Sequence, residues 1–235
     1  MVHPVPSKRY TIAIDGPAGS GKTSISEELA KLLGYRLVAT GNMFRSVALL
    51  AQGNEDEGTI AAVAQSAFFD FIFDGSFRTI VNGSDVTAAI SSPDIIPLTS
   101  KIAQFESVRT ALLQQQRMLA SAGGVILEGR DIGNVVLPDA DFKIFLDADF
   151  EIRVTRLFEL LTPDERAKHR SLADFAQLLR EVDDRDRARL SIPSGAIYHK
   201  TGNFSSREEA MILYHYIAQL DELLANAKAL HARRI

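Results

Sequence analysis

The chain contains no cysteine and no apolar run long enough to cross a bilayer. Without cysteine it can form no disulfide, thiolate metal site or thiol nucleophile. Its formal net charge is −4, so it has no general excess of positive charge to attract nucleic acid or an anionic membrane. The start, MVHPVPSKRY, lacks the apolar stretch of a signal peptide. We therefore expect a cytoplasmic protein, acting as a monomer, that binds neither nucleic acid nor membrane.

Apolar residues are abundant enough for a sizeable core, since 46% of the 235 residues are hydrophobic. Towards both ends of the chain, β-branched runs alternate with amphipathic helix patterns, which favours a mostly parallel sheet covered by helices. Ligands bind such sheets at the carboxyl ends of the strands. The sequence predicts strands at Tyr10–Ile14, Tyr35–Gly41, Gly123–Asp131 and Asp141–Ala148, and helices at Thr23–Gly34, Asn42–Gly53 and from about Glu151.

The middle of the chain has a different pattern. Phe68–Ile90 alternates with period two and contains the pairs Asp74-Gly75 and Asn82-Gly83, which are strong tight-turn signals. We predict a small antiparallel lobe inserted into the main fold, with its phenylalanines packed onto neighbouring elements. An interaction surface is the alternative role for these aromatic residues. The acidic stretch Glu55–Gly58 is predicted to be a solvated loop.

The stretch DGPAGSGKTS, Asp15 to Ser24, fits the phosphate-loop pattern, and it lies between a predicted strand and a predicted helix. Glycines let backbone N–H groups turn inward around a β-phosphate, and the helix adds its positive end. Lys22 can reach the β- and γ-phosphates, and the Thr23 hydroxyl can ligate Mg²⁺, with Glu128 a candidate ligand through water. The predicted ATP-binding residues are Gly16, Pro17, Ala18, Gly19, Ser20, Gly21, Lys22 and Thr23.

A phosphate loop alone does not identify the acceptor of the phosphate. The chain lacks the Asn-Lys-x-Asp motif that reads guanine, which argues against a signalling GTPase. It offers arginines instead, and a guanidinium can hold a phosphate or a planar base edge through two bonds. These arginines are Arg45, Arg109, Arg130, Arg185, Arg187 and Arg189. For the last three, in DDRDRAR, a solvated helix with charge pairs is the alternative.

From about Tyr10 to about Arg189, the motifs resemble those of the bacterial cytidylate kinases, which are P-loop nucleoside monophosphate kinases. IAIDGPAGSGK is similar to the phosphate loop of that family, and ATGNMFR to its acceptor motif. EGRDIGNVVLPDADFKIFLDA is similar to its Gly-Arg-Asp segment, and DDRDRAR to its Asp-Arg-Asp signature. The resemblance implies a P-loop NTPase α/β three-layer sandwich with a mostly parallel central sheet, an inserted antiparallel acceptor-binding lobe and a lid. We expect one domain over 1–235, with its core at 10–40 and 120–235, the acceptor-binding lobe at 41–119 and the lid at 161–170.

The resemblance also implies a reaction, the transfer of the γ-phosphoryl group of ATP, with Mg²⁺, to CMP or dCMP. Lys22, Arg130, Arg153 and Arg156 would then be catalytic, the last two acting from the lid side. Arg45 and Arg130 would hold the acceptor phosphate, with the Thr40 hydroxyl beside them. The implied contacts to the cytosine edge are Ser100, Arg109 and Asp131, and those to the ribose region are Asp186 and Arg189. From the residues alone, an ion-pair partner is the alternative role for Asp131 and a structural contact that for Glu128.

Several positions depart from the family pattern, and all lie outside the donor motif. Ala39 stands in place of aspartate, Asn42 in place of alanine and Phe44 in place of tyrosine. Further along the chain, Val182 stands in place of arginine and Lys200 in place of aspartate. Because valine would extend an apolar stripe into the acceptor pocket, we expect weakened CMP binding. The alternatives are a kinase for another small acceptor and a non-catalytic ATP-binding regulator. Retention of the acceptor-site arginines favours an enzyme, since a regulator needs only the donor set.

Overall fold

The computed structural model describes residues 8–51, 53–74, 76–91, 95–168 and 171–232. The strands are β1 (Thr11–Asp15), β2 (Arg36–Ala39), β3 (Phe69–Phe73), β4 (Phe77–Val81), β5 (Ser84–Asp85), β6 (Val125–Gly129), β7 (Phe142–Asp147) and β8 (Ile197–Lys200). The helices are α1 (Lys22–Leu33), α2 (Thr40–Ala51), α3 (Glu57–Ser66), α4 (Thr87–Ile90), α5 (Ile96–Ile102), α6 (Glu106–Ala120), α7 (Phe150–Glu159), α8 (Pro163–Lys168), α9 (Leu172–Asp186) and α10 (Ser206–Ala232). A single π-helical turn, Ile132–Val136, follows β6.

The central sheet has five strands in the order β2-β6-β1-β7-β8, and its pairings are all parallel. This confirms the predicted parallel sheet. Asp15 at the end of β1 is paired in register with Gly129 at the end of β6. The loops that follow β1 and β6 therefore leave the same edge of the sheet side by side, which is where α/β folds bind ligands.

Alternation along β1 creates the three layers. Ala13 points into a core cluster with Val47 of α2 and Leu112 of α6. Its neighbours Ile12 and Ile14 point to the other face, into a cluster formed largely by α1 and α10. Because successive side chains of a strand point to opposite faces, both sides of the sheet must be covered by helices.

The three-stranded antiparallel sheet β3-β4-β5 confirms the predicted inserted lobe. Asn82 (φ 51°) and Gly83 (φ 80°) form the tight turn between β4 and β5, while Gly75 of the other predicted turn lies outside the described residues. Phe69 and Phe71 are buried in the same core cluster as Ala13 of β1. Phe69 and Phe71 thus attach the lobe to the main fold, as the pattern predicted, whereas Phe68 and Phe73 are exposed.

A third apolar cluster joins α7, Leu161 and α9, and it comprises Val154, Leu161, Phe175 and Leu179. Val182 is half-buried and packs against this cluster. In this structure the apolar stripe serves the packing of α9 on α7. The expectation that Val182 weakens CMP binding stays a prediction. The helical spacing of α9 places Val182 one turn beyond Leu179, which is on the side that faces α7.

Two predicted boundaries also need correction. The segment Tyr35–Gly41 was predicted as one strand, but α2 begins at Thr40, directly after β2. The predicted loop at Glu55–Gly58 contains the start of α3, because the Asp56 carboxylate caps that helix by accepting from the Thr59 N–H at 2.8 Å. Within the described ranges, no helix is long and apolar enough to cross a membrane.

Candidate active site

The donor loop, residues 16–21, connects β1 to α1 and packs closely against two neighbouring segments. A Cβ on Gly16 (φ +156°) would lie 2.0 Å from the carbonyl oxygen of Leu146, and one on Gly19 (φ +76°) would lie 2.8 Å from that of Arg153. Only glycine fits at such distances with these backbone angles. The loop is thereby held against the end of β7 and the start of α7.

Lys22 is the first residue of α1, and its ammonium lies inside the donor loop. It is 6% exposed and donates from Nζ to the carbonyl oxygen of Pro17 at 2.8 Å. Burial, followed by repulsion from Arg130, lowers the pKa of Lys22 to about 7, against the opposing attraction of Glu128. An anion bound in the loop would favour the charged form and raise this pKa again. The site is therefore arranged to gain from a bound polyphosphate.

Thr23 and Glu128 lie together beside the donor loop. The Thr23 hydroxyl donates to Glu128 Oε1 at 3.0 Å. On the other side of the strand end, the Thr40 hydroxyl donates to the Glu128 carbonyl oxygen at 2.8 Å. A Cβ on Gly129 would lie 2.5 Å from Thr40 Oγ1, so glycine at that position is needed for this approach. The first residues of α1 and α2 thus meet at the end of β6.

Two arginines of α7 reach the donor loop. Arg153 donates to the Ala18 carbonyl oxygen at 3.0 Å and forms a two-bond pair with the Asp183 carboxylate, at 2.7 and 3.1 Å. Arg156 donates to Thr201 Oγ1 at 3.0 Å, and that hydroxyl donates to the Ser20 carbonyl oxygen at 2.8 Å. Helix α7 and the loop after β8 therefore contact the donor loop, and α9 is connected to it through the pair of Asp183 with Arg153.

The acceptor cluster, Arg109, Arg130, Asp131, Asp186 and Arg189, lies next to the donor loop. Arg130 donates from Nε to Asp186 Oδ2 at 2.8 Å and from Nη1 to the Gly16 carbonyl oxygen at 2.9 Å. Asp186 also pairs with Arg189, and Arg109 pairs with Asp131. Burial lowers the pKa of Arg189, which also feels the charges of Asp186, Arg109, Asp131 and Arg130. Arg130, Asp186 and Arg189 are thus joined by ion pairs, and the Arg109–Asp131 pair lies near enough to act on the charge of Arg189.

Ser100 lies on α5, outside this network, and is connected to it through α9. Arg185 donates from Nε to the Ser100 hydroxyl at 2.7 Å. One turn further along the chain, Arg189 donates to the Ala103 carbonyl oxygen at 3.1 Å. The end of α9 thus holds α5 of the inserted segment close to the acceptor cluster.

Arg45 on α2 is half-buried, and within the described residues its guanidinium has no ion pair or hydrogen bond. Burial lowers its pKa, with the charge of Glu128 opposing this and that of Arg130 adding to it. Arg45 therefore lies near both the donor loop and the acceptor cluster. An uncompensated, partly desolvated cation of this kind attracts an anion.

The departures from the family pattern have local partners. Asn42 donates to Thr79 Oγ1 at 3.0 Å and thereby connects α2 to the inserted sheet. Ala39 is fully buried, and Phe44 packs on the same core cluster. Lys200 is paired with Asp149 at 2.7 Å at an exposed position. Each substituted side chain therefore contributes to packing or to a surface pair.

The structure gathers the predicted residues of the donor loop and the acceptor cluster, and it places Arg45 and Thr40 beside them. Asp183, Thr201 and the contact of Arg185 with Ser100 are parts of the site that the sequence did not predict. The only sequence signal was the acidic and basic alternation in DDRDRAR, which marks charge pairing without identifying the partners.

Comparison with known proteins agrees with this geometry. Residues 12–218 match the family Cytidylate kinase. A cytidylate kinase from Geobacter sp. (strain M21) is 42% identical over 193 residues, which is 79% of this chain and 83% of the relative. One from Caldanaerobacter subterraneus subsp. tengcongensis is 38% identical over 217 residues, covering 88% and 93%.

Among solved structures, shikimate kinase from Bacteroides thetaiotaomicron is similar with a TM-score of 0.50 at 9% identity, covering 88% of this chain and 98% of that one. At that identity the similarity concerns the fold alone. The sequence relatives carry the assignment, because they cover most of the chain, and the family match over residues 12–218 spans both the donor loop and the acceptor cluster. On these grounds the chain belongs to the cytidylate kinase family.

Proposed function

We propose that this chain transfers the γ-phosphoryl group of ATP to CMP or dCMP, giving ADP and CDP or dCDP. The observation that carries the proposal is the bond from Arg130 Nη1 to the Gly16 carbonyl oxygen, at 2.9 Å. It joins a donor loop to a cluster of arginines and carboxylates suited to a second phosphorylated substrate. An enzyme that moves a phosphoryl group between two nucleotides needs both sites in contact.

In this reaction the bond between the γ-phosphorus and the β–γ bridging oxygen breaks, and a bond to an oxygen of the acceptor phosphate forms. The acceptor phosphate is an anion at neutral pH, so no protein base is required. Catalysis then depends on positioning and on neutralising the charge that spreads over the transferring oxygens. We assign Lys22, Arg153 and Arg156 to the donor phosphates, and Arg130 to both phosphates because it lies between the two sites.

On the acceptor side, Arg45 and Arg130 bind the acceptor phosphate in this proposal, with Thr40 beside them. Arg109, Asp131 and Ser100 recognise the cytosine edge, since a guanidinium and a carboxylate together present both donors and acceptors to a base. Asp186 and Arg189 contact the ribose region. The inserted segment 41–119 is then the acceptor-binding lobe, and the segment at 161–170, of which 169–170 lie outside the described residues, is a lid that excludes water.

The residues beside the donor loop fit Mg²⁺. Thr23 supplies a hydroxyl oxygen and Glu128 a carboxylate, and the two side chains are 3.0 Å apart. In the part of the chain that the structure describes, no three histidine, cysteine or acidic side chains form a metal-binding group. Mg²⁺ commonly keeps several waters and takes its other ligands from substrate phosphates, so a sparse oxygen site suits it. When bound, Mg²⁺ neutralises charge on the phosphates.

An ADP-release assay over all common nucleoside monophosphates, with ATP alone as the control, tests the proposal. We expect turnover with CMP and dCMP far above that with AMP, GMP or UMP, and little hydrolysis of ATP alone. Turnover mainly with another acceptor would reassign the substrate. ATP binding without turnover of any acceptor would support a regulator instead. We further propose that the enzyme works as a monomer in the cytoplasm, where ATP and pyrimidine nucleotides are metabolised.

A further inference from the structure

Asp15, directly before the donor loop, is a buried carboxylate that the reaction described above does not use. It is fully buried, and its two oxygens accept one backbone N–H each: Oδ1 from Ile132 at 2.7 Å and Oδ2 from Gly133 at 2.8 Å. Two successive backbone N–H groups form a small anion-binding nest. Here the chain's own carboxylate fills that nest.

The two N–H groups come directly after Arg130 and Asp131, which belong to the acceptor cluster. A third bond has the same direction, because Arg130 Nη1 donates to the carbonyl oxygen of Gly16, the residue after Asp15. Three hydrogen bonds thus join the start of the donor loop to the segment 130–133. A Cβ on Gly133 would lie 3.2 Å from Asp15 Oδ2 and 2.8 Å from Pro193 Cγ, so this contact also depends on glycine.

The far end of the same π-helical turn has different anchors. Asn134 donates to the hydroxyl and the carbonyl oxygen of Ser191 at 2.9 and 3.1 Å. Arg117 donates to the carbonyl oxygens of Val135 and Val136 at 2.9 and 3.0 Å. Asp15 is therefore not needed to hold the whole turn in place. Its contacts are restricted to the end next to Asp131.

We propose that Asp15 is a positioning residue that couples occupancy of the donor loop to binding at the acceptor cluster. The inference rests on the proposed function, since it takes segment 130–133 as part of the acceptor site. Any shift of the donor loop around a triphosphate moves the Asp15 carboxylate, and through two backbone bonds it moves the peptide units beside Asp131. A coupling of this kind is reciprocal, so CMP must tighten ATP binding as much as ATP tightens CMP binding.

The test compares CMP affinity by calorimetry with and without a saturating non-hydrolysable ATP analogue. In the wild-type protein we expect the analogue to tighten CMP binding by about fivefold or more, the lower range of typical coupling. In Asp15→Asn, one acceptor oxygen becomes an NH₂ group that faces a backbone donor, and we expect the coupling to fall below about twofold. The matched control, Asn134→Ala, loosens the other end of the turn and should keep the wild-type coupling.

Equal coupling in Asp15→Asn and the wild type, or equal loss of coupling in Asp15→Asn and Asn134→Ala, would overturn the inference.

If Asp15→Asn does not fold, the coupling in the wild type is measured at about pH 7.5 and about pH 5.5. These values bracket the pKa of Asp15, which burial raises to about 6, while the charges of Asp131 and Lys22 act on it in opposite directions. The phosphate of CMP titrates both with and without the analogue, so its effect largely cancels in the ratio. Lys22 also titrates in this range and contacts the donor loop, so the same two pH values are applied to Lys22→Met, which removes that titration. Coupling must fall at the lower pH, and unchanged coupling contradicts the inference. A wild-type protein that phosphorylates CMP without any coupling would refute this inference and leave the proposed function standing.

Discussion

The guanidinium of Arg130 donates to the carboxylate of Asp186 at 2.8 Å, and this pair joins the end of β6 to the end of α9. Both side chains are mostly buried, so each depends on the other for compensation of its charge. The second arm of Arg130 reaches the donor loop at Gly16. One guanidinium therefore connects the two candidate substrate sites to α9, a helix that also packs against Leu161 and α7.

Arg130→Lys should lower kcat/KM for CMP by about 10²- to 10³-fold, because lysine keeps the charge but loses the planar fork that serves Asp186 and Gly16 at once. Steady-state kinetics with varied CMP at saturating ATP measures this effect. Arg117→Lys is the control, since Arg117 holds carbonyl oxygens of the neighbouring π-helical turn. If both variants lose activity equally, Arg130 has no special role in the reaction.

Lys22→Met should reduce turnover about 10³-fold, equivalent to about 4 kcal/mol, by removing the cation that points into the donor loop. The fold should persist, because methionine fills the same buried space without a charge that needs compensation. Single-turnover kinetics separates the chemical step from nucleotide binding. Lys31→Met, on an exposed position of the same helix, should be close to wild type. Near-wild-type turnover in Lys22→Met would remove the assignment of the donor loop.

Arg45→Gln should raise KM for CMP by about 10-fold or more and leave KM for ATP nearly unchanged, because its guanidinium is assigned to the acceptor phosphate. Stability should change by no more than about 0.5 kcal/mol, since within the described residues Arg45 has no ion pair to lose. Kinetics and urea unfolding on the same preparation give both quantities. Arg36→Gln, on the surface at the start of β2, is the control. A large loss of stability without a change in KM would make Arg45 structural.

Local patterns predicted the donor loop, the parallel sheet and the inserted sheet because each depends on residues close together in the chain. Ile12, Ala13 and Ile14 specify two buried faces by alternation alone, and Ser171 caps α9 by accepting from the Asp174 N–H at 3.1 Å. Most of the core could therefore be read from periodicity.

The hydrogen bonds that assemble the site could not be predicted in this way. Asp15 and Ile132 are 117 positions apart, and Arg185 and Ser100 are 85 apart. A periodic pattern indicates which face of an element is buried, but it does not identify the partner of a polar group. The start of α2 at Thr40 was misjudged for the same reason, because its hydroxyl is bonded to the distant Glu128 carbonyl oxygen.

Tyr10 provides a test by pH of how α10 is attached to the sheet. Its hydroxyl is bonded to Asp221, and burial together with that bond raises the pKa of Tyr10 to about 12. A group whose pKa is raised on folding contributes stability that is present below its unfolded pKa and lost as the pH rises through the folded value. The difference in free energy of unfolding between the wild type and Tyr10→Phe should therefore be constant below pH 10 and become smaller between about pH 10 and 12. Urea unfolding at several pH values measures this difference, and Tyr216→Phe, at an exposed position, is the control. A difference that stays constant up to pH 12 would contradict a stabilising role of the bond between Tyr10 and Asp221.

Val182→Arg distinguishes a substrate-binding role of this position from a packing role. The resemblance to the family implies that an arginine at this position would strengthen CMP binding. In the structure, Val182 packs against the cluster of Val154, Leu161, Phe175 and Leu179. Because the side chain is half-buried, an arginine must extend its charged end to solvent and disturb that packing. We expect a loss of about 1–3 kcal/mol in the free energy of unfolding.

The same variant should leave KM for CMP unchanged, because α9 is anchored to the acceptor cluster by Asp186, Arg185 and Arg189 one and two turns further on. Val182→Leu, which keeps the apolar contact, should match the wild type in both stability and KM. A lower KM for CMP in Val182→Arg, with KM for ATP constant, would instead mean that the new guanidinium reaches the nucleotide. In that case α9 must turn its face towards the acceptor when CMP binds, and the packing on α7 seen here belongs to the protein without substrate.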